Sequence, residues 1–129
     1  MSIAHISDTA RWVAVYRAME SERPDALFHD PYARRLAGAK GDEIVDAMKQ
    51  GRAMAWAMTV RTQVVDEIIR SEIATDRIDL VLNLAAGLDA RPWRMELPPS
   101  LHWVDVDLPD ILRYKLETLK GVPSHCSYE

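Results

Sequence analysis

The stretch that most constrains this chain is "DLVLNLAAGLDARPW", residues 79–93. Residues 79–86 are almost continuously apolar and rich in leucine. That length suits a strand buried on both faces, as in a parallel sheet. The run ends in Ala85-Ala86-Gly87 and then meets Asp89, Arg91 and Pro92. Small residues let a backbone pass close to a ligand, and glycine also admits positive φ. In open α/β folds the first strand-to-helix crossing is where a nucleotide-like ligand sits. The complete G-x-G-x-x-G pattern is absent, so the glycine alone reads as an ordinary turn sooner than as a ligand site.

A second strand follows in "LHWVDVD", residues 101–107, where Trp103, Asp105 and Asp107 alternate with Val104 and Val106. Asp107 lies 20 positions after Gly87. A carboxylate at the end of the second strand, about 20 residues past the glycine loop, is placed to accept hydrogen bonds from ribose hydroxyls. Its other reading is a helix N-cap, and the two roles can coexist. Asp105 shares that face and reads as a structural partner for an arginine or a contact to a ligand's edge. "LPDILRYKLETLKG" then reads as a helix, with Pro109 in its first turn and Gly121 at its stop. A third strand is expected at "CSYE".

The segment before residue 79 has helical periodicity. Residues 8–20 carry Trp12, Val15, Tyr16 and Met19 at helical spacing, with Asp8 or Thr9 as cap. Asp30-Pro31 predicts a helix start running through "YARRL" to a stop near Gly38, and a further helix follows Gly41. The longest helix is expected over 53–73, with Ala57, Val60, Val64, Val65, Ile68 and Ile69 forming a wide apolar stripe. Arg61 sits on or beside that stripe, where it must find an anion or extend to water. The expected organisation is a helical segment, 1–75, followed by the first part of an α/β, Rossmann-like core, 76–129, in one domain.

Taken together, "VLNLAAGLDARPWRMELPPSLHWVDVDLPDILRYKLETL", the upstream "RAMESERPDALFHDPYARRLAG" and "VRTQVVDEII" resemble the leucine carboxyl methyltransferase family. Its members are S-adenosyl-L-methionine-dependent O-methyltransferases, and the flavour here is that of the bacterial branch acting on polyketides and other small molecules. The resemblance implies a Rossmann-like methyltransferase fold and S-adenosyl-L-methionine as cofactor. Gly87 then matches the cofactor-loop glycine, Asp107 the acid that holds the ribose, and Arg61 an arginine that pairs with the cofactor's carboxylate. Ala85 also falls in the cofactor loop, where the family often has glycine, so close approach there requires negative φ. Ala90 stands where threonine or serine is common and lacks a hydroxyl to cap the next helix.

Other side chains carry less. Asp89 and Arg91 are expected to form a loop-ordering ion pair or to act as a helix cap and a solvated arginine. His5, His29, His102 and His125 have no metal-ligand spacing, and Cys126 stands alone, so no metal site is expected. Arg11 and Arg17 read as surface salt-bridge residues, and the four tryptophans as core. No catalytic residue is identified.

The apolar fraction of 48% and charged fraction of 28% suit a folded domain rather than a disordered chain. A net charge of −4 gives no general attraction to nucleic acid or anionic membrane. Without a secretory leader or a membrane-length apolar run, the expected location is cytoplasmic. The expected partner is a small-molecule methyl acceptor with a carboxylate or hydroxyl. The competing function is a nicotinamide-dependent oxidoreductase, which the missing second and third glycines disfavour. The chain is expected to be the N-terminal part of a longer protein. It would then bind cofactor weakly, methylate nothing alone, and self-associate through its incomplete sheet.

Overall fold

The computed structural model describes residues 6–129. His5 lies outside them. The chain divides into two compact units, Met1–Gln63 and Val64–Glu129.

The first unit is helical. Helix α1 spans Ile6–Ser21 and α2 spans Ala33–Ala47. Asp8 is not a cap. It lies inside α1, is buried, and pairs with Lys40 at 2.7 Å. Helix α2 is broken at Gly38, as the predicted stop there implies. Its N-cap is Tyr32 rather than Asp30. The Asp30 carboxylate instead accepts from Tyr32 N–H at 3.0 Å and from Arg17 Nε at 2.9 Å. Arg17 is therefore a buried partner rather than a surface one. Gly41 lets α2 approach α1 closely, because a Cβ there would stand 2.9 Å from Val15 Cγ2 and 3.2 Å from the Arg11 carbonyl.

Helix α3 spans Ala55–Ala74, preceded by a 3-10 turn at Arg52–Met54, and the boundary between the units falls within it. Its predicted apolar stripe is only partly used. Val60, Val64 and Ile68 are exposed, as is Trp56 at 68%. The buried row of α3 is polar, with Thr59, Thr62 and Asp66. Ile69 and Ile73 pack against the second unit's apolar cluster.

The second unit contains the sheet. Strand β1 is Leu80–Leu84, helix α4 is Arg91–Arg94, β2 is His102–Val106, α5 is Pro109–Thr118, and β3 is Ser127–Tyr128. All strand pairs are parallel, in the order β1-β2-β3. This is the strand-helix-strand-helix-strand start of a Rossmann-like unit. Met95, Leu97, Leu101, Trp103 and Cys126 form its core, with Val81 and Tyr128 packed against them.

Strand β1 is covered on one face, not two. Leu80, Leu82 and Leu84 are 51%, 57% and 66% exposed. The expectation of burial on both faces came from hydrophobicity, which reports what a strand is suited to bury and not what lies against it.

Candidate functional site

The loop after β1 is shaped by two left-handed residues. Gly87 has φ 52°, which glycine adopts without cost, and Ala85 has φ 54°, which an L-residue does not. The condition attached to Ala85, negative φ, is thus not met: the alanine occupies the conformation for which its glycine-bearing counterparts are suited.

Asp107 lies just beyond β2 and reaches this loop directly. Its Oδ2 accepts from Gly87 N–H at 2.6 Å, and its Oδ1 from Leu108 N–H at 2.6 Å. It does not cap α5, whose N-cap is Leu108 without a side-chain hydrogen bond. Each carboxylate oxygen keeps a second lone pair, and the side chain is only half-buried. The acid and the glycine, 20 residues apart, therefore meet at the mouth of one loop.

The rest of the loop is fixed by charge. Asp89 N–H donates to Ala86 O at 3.0 Å, closing a tight turn. Asp89 Oδ1 accepts from Arg91 N–H at 2.9 Å, and Oδ2 pairs with the Arg91 guanidinium. Ala90 is the N-cap of α4 and has no side-chain cap. Asp89 supplies the missing acceptor from the preceding position. The Asp89–Arg91 pair is thus both ion pair and cap, where the sequence presented these as alternatives.

Arg91 and Arg94 converge on Asp66 of α3. Arg91 Nε lies 2.7 Å from Asp66 Oδ1, and Arg94 contacts both carboxylate oxygens at 2.8 Å. Asp66 is fully buried. Burial works against the Arg91 charge, but the Asp89 and Asp66 carboxylates outweigh it and hold its pKa above the ordinary value.

Beneath the loop, Asp105 is a hub. It accepts from Trp103 Nε1 at 2.8 Å, Asn83 Nδ2 at 3.0 Å, Tyr128 Oη at 2.7 Å and Lys115 Nζ at 2.5 Å. Its cationic partner is a lysine, not the arginine expected. Burial, followed by the hydrogen bond to Asp105 and that carboxylate's charge, pushes the Tyr128 phenol well above the usual tyrosine range. Burial and, secondarily, Asp105 push the Cys126 thiol up as well.

Arg61 lies on the exposed side of α3, and its guanidinium has no ion-pair partner among the described residues. Trp93 and Trp103 are core, whereas Trp56 is not. No group of metal-ligating side chains occurs among the described residues, and no described helix is long and apolar enough to cross a membrane.

Asp66, Asn83, Arg94 and Lys115 were not singled out from the sequence. A signal existed for one of them. Lys115 stands four residues after Ile111, the other buried residue of α5, and four before Leu119, which is buried at its C-cap.

Comparison with known proteins agrees with this architecture. The chain is 37% identical over 130 residues to a protein of Streptomyces coelicolor, covering 92% of this chain and 45% of that protein. A protein of Rhodococcus jostii is 36% identical over 91% of this chain and 42% of its own length. A third, from Mycolicibacterium gilvum, is 33% identical over 91% of this chain and 43% of its own. The names of all three assign them provisionally to the S-adenosyl-L-methionine-dependent methyltransferases. This chain spans less than half the length of these relatives. The model of the leucine carboxyl methyltransferase family matches residues 10–127, and the chain belongs to that family.

Proposed function

We propose that this chain provides the cofactor-binding part of an S-adenosyl-L-methionine-dependent O-methyltransferase acting on a small molecule. The Gly87–Asp107 contact carries the reading. It sets a half-exposed carboxylate with spare lone pairs beside a glycine whose backbone has no side chain to hold a ligand away. These features fit a nucleoside. Asp107 would take the ribose hydroxyls, and the Ala85–Gly87 backbone would line the approach. Arg61, exposed and unpaired among the described residues, would pair with the cofactor's carboxylate.

The bound cofactor supplies a methyl group activated by its sulfonium. The protein's share of such a transfer is mainly alignment and exclusion of water. A carboxylate acceptor needs no base, whereas a hydroxyl acceptor gains from one. An intracellular cofactor goes with a cytoplasmic setting. The exposed leucines of β1 support self-association of this chain.

The test is calorimetric titration with S-adenosylhomocysteine and, separately, with NAD. Binding of the first and not the second is expected. The reverse result replaces the methyltransferase reading with the oxidoreductase one.

A further inference from the structure

We propose that Lys115 is a positioning residue for the loop that follows β1, and that its partnership with Asp105 serves that end. The proposal rests on the reading of this loop as the cofactor site. Lys115 is wholly buried, with 0% of its side chain exposed, and the Asp105 side chain is 1% exposed. An ammonium is removed from water at great cost, and such a charge is retained only where it is paired and its donors are used. Lys115 Nζ donates to Asp105 Oδ2 and also, at 3.2 Å, to the Asp89 main-chain carbonyl.

Neutralising Asp105 does not require the second contact. Asp105 already takes hydrogen bonds from Asn83, Trp103 and Tyr128. The bond to Asp89 O runs from α5 and enters the loop two residues past Gly87. The loop is therefore anchored at two points: Asp107 holds the Gly87 N–H at the mouth, and Lys115 holds the Asp89 carbonyl from below. Asn83 strengthens the lower anchor, since its Nδ2 lies 3.0 Å from Asp105 Oδ1 and 3.3 Å from Asp89 Oδ2. An ammonium on the four-carbon stem of a lysine reaches both acceptors as a compact point charge. Helix α5 thereby sets where the Gly87 backbone stands, although no residue of α5 belongs to the site.

The experiment compares the 129-residue wild type with Lys115→Met and with the double variant Asp105→Asn/Lys115→Met. The single variant strands a buried carboxylate and should lose stability. The double variant removes both charges, so most of that stability should return. Neither variant restores a donor to the Asp89 carbonyl. Exchange of the Asp89 amide, which is bonded to Ala86 O, should therefore remain at least about tenfold faster than in wild type, and affinity for S-adenosylhomocysteine about tenfold weaker. Return of both loop protection and affinity with stability in the double variant would reduce Lys115 to a charge partner of Asp105 and overturn the proposal. If the wild type binds no S-adenosylhomocysteine, the cofactor reading fails separately, and amide exchange still decides the role of Lys115. If the single variant does not fold, the double variant carries the comparison.

Discussion

Asp107 Oδ2 and the Gly87 N–H are joined by a 2.6 Å hydrogen bond. The acid after β2 and the loop after β1 are thus one mechanical unit. Asp107→Ala should weaken S-adenosylhomocysteine binding roughly ten- to a hundredfold, the scale of losing charge-assisted hydrogen bonds. It should also cost about 1–3 kcal/mol of stability, because the Gly87 amide loses its acceptor. Asp107→Asn keeps one oxygen and separates the effects. Calorimetry and urea melts on the same samples check both, and unchanged affinity in both variants returns Asp107 to a purely structural role.

Arg61→Lys retains charge but loses the planar fork. A fall of about tenfold in S-adenosylhomocysteine affinity with an unchanged melting temperature is expected, since this exposed side chain carries no described ion pair. Decarboxylated S-adenosylmethionine should bind wild type more weakly than the complete cofactor. Equal affinity would remove Arg61 from the site.

The two left-handed loop residues should respond in opposite directions. Gly87→Ala forces a Cβ into φ 52° and should cost about 1–2 kcal/mol. Ala85→Gly relieves the same strain and should stabilise the chain by roughly 0.5–1 kcal/mol after the entropy of the added glycine is discounted. Chemical denaturation of both variants reads the difference.

Asp66→Asn leaves Arg91 and Arg94 with a neutral partner in a buried setting. Breaking such a pair from one side typically costs about 3–5 kcal/mol. The urea midpoint should fall with little change in slope.

The raised Tyr128 pKa gives an alkaline dependence. The folded state keeps the phenol neutral while the unfolded chain ionises near its ordinary value of about 10. Stability from this group is therefore complete below that pH and is lost as pH rises beyond it. Buried Tyr16, also raised, acts in the same direction. Urea melts between about pH 8 and pH 11 should show a shallower decline in Tyr128→Phe than in wild type. An identical slope would falsify the assignment.

How far the sequence led depended on the kind of information each feature carries. The succession of strands and helices, the break at Gly38 and the 20-residue spacing of Gly87 and Asp107 follow from period and counting, which are local. The Asp105–Lys115 and Asp66–Arg94 pairs join elements 10 and 28 residues apart. A polar residue inside an apolar row shows that a partner is needed, but not which one. The conformation of Ala85 was also hidden, because alanine does not announce positive φ as glycine does. Burial of Val60, Val64 and the β1 leucines was overestimated because apolarity is a property of a residue and coverage a property of its neighbours.

Strand alternation gives β1 two independently editable sides. Val81 and Asn83 point to the packed side, where Val81 meets the apolar cluster and Asn83 meets Asp105, while Leu80, Leu82 and Leu84 point to water. Polar replacements at the three leucines therefore leave the hydrogen bonds under the loop untouched. Spectroscopy of the loop, and every binding measurement that needs a monodisperse sample, can be carried out on such a surface-edited chain with its interior wiring intact.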